Sequence, residues 1–161
     1  MDANNQSPRK AQTAAQAAVP IVVADIYEIA GRFRENGETI ARTVGQTQAR
    51  WQVLSAASGR PQTVPQIARV LGVTRQNVQR IADLLVGEAA AEYRDNPDHR
   101  GSPHLILTRR GHTALDAITK AAAGYHARLA RKLSPSDVVS LQRGLRRLRD
   151  ALTDIEPVNP K

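Results

Sequence analysis

The segment Val64–Ile81, VPQIARVLGVTRQNVQRI, constrains the fold more than any other part of the chain. Ala68 is small, as a close crossing of two helices demands. Gly72, four residues on, can take the positive φ of a tight turn, and Val78 then falls where it packs back beneath both helices. Ile67, Leu71, Val73 and Ile81 complete a miniature apolar core. The spacing predicts a helix-turn-helix, with a first helix over Val64–Leu71 and a second from Thr74 to about Val86. At 100° per residue Val78, Ile81, Ala82 and Leu85 gather on one side of the second helix, leaving Gln76, Gln79, Arg80 and Asp83 outward. Thr74 is its N-cap, with Arg75 and Asn77 in the first turn.

That outward face has the chemistry to read the major groove of duplex DNA, where glutamine can pair bidentately with adenine and arginine with guanine. The candidate contact set is therefore Thr74, Arg75, Gln76, Asn77, Gln79 and Arg80. The alternative is an ordinary surface helix whose polar face touches only water, and Asp83 counts against a uniformly phosphate-binding face. Charge favours a polyanion. The chain carries a formal net charge of +8. From Thr39 to Ala82 it has no Asp or Glu, while Arg42, Arg50, Arg60, Arg69, Arg75 and Arg80 all fall inside. A solvated arginine-rich face is the other reading of that window.

Around this centre the expected fold class is mainly α with a small β-hairpin wing. Residues 1–18 hold Gln, Ala, Ser and Asn with little to bury and read as a mobile arm that becomes helical on contact. From Ile21, the apolar residues Val22, Ile26, Ile29, Phe33, Ile40 and Val44 recur at helical spacing, and Gly45 is a stop. A second helix runs from Thr47 to Ser58 and breaks at Gly59-Arg60-Pro61. Ala91–Asp95 and His104–Thr108 are short strands around a tip rich in Asn, Pro, Asp and Gly. Arg100 at that tip can enter a minor groove, with Asp98 two residues earlier placed to hold its guanidinium; a solvated loop is the plainer alternative.

Thr108 caps a fifth helix striped by Leu115, Ile118, Ala122, Tyr125 and Leu129. Ser134-Pro135 opens a last one. There Val138, Leu141, Leu145, Leu148, Leu152 and Ile155 recur at alternating steps of three and four, a heptad-like seam beside Arg143, Arg146, Arg147 and Arg149. Such a seam needs a cover. It packs either on the first helix of its own chain or between two chains, and an aromatic content of only 3% favours the second. Dimerisation is therefore assigned to Val138, Leu141, Leu145, Leu148 and Leu152.

The order of elements, with LGVTRQNVQRI followed by NPDHRGSPHLILTRRG, resembles the multiple antibiotic resistance regulator (MarR) family of winged helix transcription factors over roughly Ile21–Ile155. The wing carries the most specific likeness: Asp98, Arg100, Leu105, Leu107, Thr108 and Gly111 match the family's Asp-x-Arg, apolar strand and Leu-Thr-x-x-Gly. The resemblance implies one domain, with residues 46–108 as the winged helix-turn-helix and residues 19–45 and 109–156 as dimerisation helices. It also implies a homodimer on inverted-repeat double-stranded DNA, usually a repressor, with a small ligand or another signal weakening the grip. Family effector pockets lie between the dimerisation helices and the winged domain, but no motif assigns Phe33, Trp51 or His112 to one, and they are not carried over. Members usually carry Gly-Leu between recognition helix and wing where this chain has Ala89-Ala90; a left-handed Ala89 would cost about 1 kcal/mol.

Other classes fit less well. No cysteine is present, so disulfides, thiolate zinc sites and thiol nucleophiles are excluded, and a reducing compartment, by default the cytoplasm, is expected. The opening residues lack the apolar core of a signal peptide, and the longest uncharged run, Ala11–Ala24, is too short and polar to span a bilayer, so no membrane partner is expected. No two glycines lie closer than Gly31 and Gly37, which removes Gly-rich nucleotide loops. His99, His104, His112 and His126 lack metalloprotease spacing, and Asp95, Asp98 and His99 read as a polar tip rather than a metal cluster. Neither catalysis, cofactor nor metal is expected. A protein-docking winged helix without DNA readout is the remaining alternative.

Overall fold

The computed structural model of the chain describes residues 6–155, with side chains from Gln12 onward. Its elements run α1 (Gln6–Arg42), α2 (Gln48–Gly59), β1 (Gln62–Thr63), α3 (Val64–Leu71), α4 (Arg75–Gly87), β2 (Ala91–Arg94), β3 (His104–Leu107), α5 (Arg109–Ala130) and α6 (Pro135–Asp154). The mainly helical fold with a small β wing is as the sequence predicts. The chain divides into two compact units, one ending at Thr119 and the other starting at Lys120, with the boundary inside α5.

α1 begins well before the expected Ile21, so the segment read as an arm is helical from Gln6 through Ala18. Alanine has the highest helix propensity, and nothing in this run supplies a stop; Pro20 removes only one N–H from the ladder. Residues 1–5 of the arm, and residue 156 of the expected C-terminal segment, lie outside the described residues. By length and composition alone, Gln12–Arg42 is apolar enough to cross a membrane, although its longest uncharged run is short. Asp25 and the Glu28–Arg32 ion pair at 2.7 Å place charge along it.

Three helices end in the same way. After α1, Gly45 has φ 70°; its N–H donates to Arg42 O at 3.1 Å and that of Gln46 to Ala41 O at 2.9 Å. After α3, Gly72 has φ 65°, and Val73 N–H reaches back to Ala68 O. After α4 the left-handed residue is Ala89, at φ 54°, with Ala89 N–H on Val86 O at 2.9 Å and Ala90 N–H on Leu85 O at 2.8 Å. Each is a Schellman closure that satisfies carbonyls the helix leaves over, and the third lacks the glycine that would make it strain-free.

The unit ending at Thr119 owns a continuous apolar core. Val53 and Leu54 of α2, Ile67 of α3, Val78 and Leu85 of α4, Leu105 of β3 and Ile118 of α5 are shut off from solvent; each such side chain contributes about 1.5–3 kcal/mol by leaving water. The sheet has order β1-β3-β2, all antiparallel. Leu105 pairs with both Gln62 and Tyr93, and alternation along β3 buries Leu105 and Leu107. β1 is an addition to the two strands expected. It is two residues long, too short for any period, and is fixed by tertiary bonds. Gln62 Nε2 donates to Ala56 O at 2.6 Å, and Thr63 opens α3 with a reciprocal capping box on Gln66.

In the unit from Lys120, Tyr125 and His126 meet edge-on at 6.0 Å. Ser134 and Asp137 form the capping box that starts α6, with Pro135 in its first turn. No residue of α6 is buried.

Candidate nucleic-acid interface

The second helix of the helix-turn-helix, α4, is rotated as its periodicity predicts. Thr74 Oγ1 accepts from Asn77 N–H, and Val78, Ile81, Ala82 and Leu85 face the core. Arg75, Gln76, Gln79, Arg80 and Asp83 are exposed. Asn77 separates from this set: it is half-buried, its Oδ1 accepts weakly from Arg80 Nη2 at 3.4 Å, and it lines a cleft with Arg34, Glu38, Arg42 and Gln48 rather than the outer groove.

That outer groove, of about 590 Å³, runs between Val64 and Pro65 at the start of α3, Arg75, Gln76 and Gln79 on α4, and Tyr93 with Gly101–Pro103 of the wing. Arg69 and Arg75 also line an adjoining hollow with Asn96, Asp98, His99 and His104. The wing tip is ordered by Asn96, which is buried. Its Nδ2 donates to Ser102 O at 3.0 Å and its Oδ1 accepts from Asp98 N–H at 3.0 Å. Asp98 and Arg100 form no hydrogen bond or ion pair with each other, contrary to expectation. The tip turns at Asn96 and sets their backbone, leaving the Arg100 guanidinium to solvent.

The acid-free window of the sequence is not acid-free in space. Arg42 Nε donates to Glu38 at 2.9 Å. Arg50, largely buried, gives Nη1 to Glu88 Oε1 at 2.8 Å, a second bond to Oε2, and Nε to Gln46 at 2.8 Å. Hydrogen bonding to Arg50 holds the Glu88 carboxyl below its ordinary range and raises the Arg50 guanidinium further. Glu38 is lowered as well, first by the Gln48 N–H that opens α2 and then by Arg42. The cationic footprint therefore narrows to Arg60, Arg69, Arg75 and Arg80, together with Arg100 of the wing.

The wing joins α5 through Thr108. Its Oγ1 donates to Ala89 O at 2.7 Å and accepts from Gly111 N–H at 3.3 Å, while its N–H reaches Ala90 O at 3.1 Å. Gly111 is required there, since a Cβ would stand 2.0 Å from Ala90 O.

The sequence missed Tyr93. Its hydroxyl donates to Asp83 Oδ1 at 2.6 Å and accepts from Gln79 Nε2 at 2.7 Å, and Gln79 Nε2 also reaches Asp83 Oδ1 at 2.8 Å. Burial and then Asp83 push the phenol up to about 12. The one available signal was alternation along β2, which turns Tyr93 away from the side on which Glu92 and Arg94 lie.

A model of the MarR family matches residues 44–100. Uncharacterised proteins of Mycobacterium tuberculosis and Mycobacterium bovis are each 50% identical over 136 residues, 84% of this chain and 95% of theirs. Among solved structures, a MarR/EmrR family transcriptional regulator from Acinetobacter sp. ADP1 superposes with TM-score 0.73 at 18% identity, covering 86% of this chain and 99% of that one. The transcriptional repressor CouR, solved bound to a 23-mer DNA duplex, gives TM-score 0.66 at 25% identity over 78% of this chain and 89% of CouR.

Proposed function

This chain belongs to the MarR family, and on that premise we propose that it is a homodimeric, sequence-specific regulator of transcription that represses from an inverted-repeat operator in double-stranded DNA. The observation that carries the reading is the row Arg75, Gln76 and Gln79, exposed along a groove whose far wall is the wing, with Arg80 exposed beside Gln76 and Gln79 in the neighbouring hollow of α4. The core arc of α4 leaves only that row free to enter a major groove, with Thr74 and the α4 N-terminus facing phosphate. Asn77 is a supporting contact at the edge of this face. Arg100 reaches the flanking minor groove, and Asp98 shapes the tip. CouR, a repressor with DNA bound, is built on the same fold.

Dimerisation rests on α6, where Val138, Leu141, Leu145 and Leu152 are about half exposed and Leu148 somewhat less. Exposed apolar residues on α1, among them Ile21, Ile29 and Phe33, offer a second such surface. The reading includes no catalytic step and no resident cofactor or metal, and it sets the protein in the cytoplasm with its DNA. An effector would act from the cleft of about 580 Å³ lined by Arg34, Arg42, Gln48 and Asn77, where Gln48 Oε1 is buried without a hydrogen-bond partner.

Selection of bound fragments from a random duplex library tests the proposal. An inverted repeat with half-site centres about 10 bp apart is the expected product. Affinity should fall steeply between 50 and 200 mM salt, about a thousandfold for some six phosphate contacts. An enriched pool without symmetry, or a flat salt response, would favour the protein-docking alternative.

A further inference from the structure

Gln79 is not free to use both ends of its amide. Its Nε2 has two hydrogens and two acceptors within bonding distance, Asp83 Oδ1 at 2.8 Å and the Tyr93 hydroxyl at 2.7 Å. The orientation of the amide follows from the chemistry of its neighbours. An ionised carboxylate only accepts, so the nitrogen and not the carbonyl oxygen must face Asp83. The phenol's single hydrogen goes to Asp83 at 2.6 Å, so its lone pair accepts from Gln79. The three atoms form a near-equilateral triangle, so the two N–H groups, which diverge by about 120° at a planar amide, reach the two acceptors only along bent bonds; with both so engaged, Oε1 is the hydrogen-bonding atom of the amide left over.

The consequence is a change in what the residue can read. Bidentate recognition of adenine needs an N–H for N7 and a carbonyl for the N6 amino group, both from one amide. A carbonyl alone can only accept, from adenine N6 or from cytosine N4, and offers nothing to the keto oxygens of guanine and thymine. We propose that Tyr93 and Asp83 are specificity-determining positioning residues that hold Gln79 as an acceptor-only reader, selecting amino bases over keto bases where a free glutamine would select adenine. The raised phenol keeps its proton throughout the physiological range, so the clamp stays closed. Because Tyr93 sits on β2 and the other two on α4, the clamp also ties the wing to the reading helix.

The inference rests on the DNA-reading proposal, and the test separates the two. Library selections are run with the wild-type protein, Gln79→Ala, Tyr93→Phe and Asp83→Ala; the Gln79→Ala pool identifies the base position that Gln79 contacts. At that position the wild type should take adenine and cytosine about equally, and both clamp variants should shift the adenine-to-cytosine ratio about tenfold toward adenine. The electrostatic gain from removing the Asp83 charge falls on every sequence alike and does not by itself move that ratio, and Tyr93→Phe alters no charge, so a shift in both variants reports the freed amide. In the free protein, Tyr93→Phe should shift the Gln79 side-chain amide protons in a nitrogen–proton correlation spectrum. A selective wild type whose ratio is unchanged in both variants overturns the clamp and leaves the DNA reading standing, as does an unshifted Gln79 amide. A wild type that selects no duplex removes the DNA reading, and the clamp's role with it.

Discussion

Ala89 holds a left-handed backbone at φ 54° because the Schellman closure of α4 falls on it, while Gly87 two residues earlier occupies an ordinary helical position. The Cβ clash costs about 1–2 kcal/mol, and glycine returns part of that through its larger unfolded-state entropy. Ala89→Gly should therefore raise stability by about 0.5–1 kcal/mol, read as a higher urea midpoint at constant slope. On the proposed reading face, Arg80 makes, among the described residues, only the weak bond to Asn77 at 3.4 Å, so in that proposal it needs no large rearrangement to meet a base. Arg80→Ala should weaken binding to the selected operator by about 1–3 kcal/mol and relax preference at one base per half-site. Equal losses on operator and random duplex would assign Arg80 to phosphate instead.

Among elements, the link between α2 and the end of α4 is electrostatic and therefore sensitive to pH. Bonding to Arg50 lowers the Glu88 carboxyl in the folded protein. Its stabilisation is thus complete above the ordinary value of 4.5 and is lost as pH falls through the lowered folded value. The expected contribution is at most about 1 kcal/mol, since Glu88 is half exposed. Glu88→Gln should be less stable than wild type at neutral pH, and the gap should close in acid, as followed by denaturant titrations at several pH values. The wing is a separate element with its own readout. Arg100→Ala should lose most affinity where operator flanks are A·T-rich and their minor groove is narrow; fluorescence anisotropy on flank-swapped duplexes measures this.

For the molecule as a whole, α6 carries an apolar seam with no buried residue, and a second copy of the chain is the proposed cover. Leu145, 55% exposed in the protomer, can be replaced without opening the Thr119-terminated core. A charge buried without a partner at an interface costs about 3–5 kcal/mol. Leu145→Asp should then weaken association a hundredfold or more and move the sedimenting species from dimer to monomer while the helical signal persists. A dimer of unchanged affinity would place the interface elsewhere.

The sequence alone was enough for the parts of the fold whose physics is local. Helical period, Ser134-Pro135, Thr74 and the glycines at positions 45 and 72 predicted five of the six described helices nearly to the residue, and the inward arc of α4 predicted its outward one. The early start of α1 escaped because propensity, not an apolar stripe, extends it. What only the tertiary structure decided depends on groups distant in the chain. Glu38 and Glu88, outside the acid-free window, come back to neutralise Arg42 and Arg50; Asn96 orders the wing tip through Ser102 and the Asp98 N–H, and the Asp98 and Arg100 side chains do not meet; Ala56 fixes a two-residue strand. Tyr93, fourteen residues beyond Gln79, takes both its bonds from α4. Periodicity reports which way a side chain faces, but a hydrogen bond between two elements is set by where their backbones cross, and no local pattern encodes that crossing.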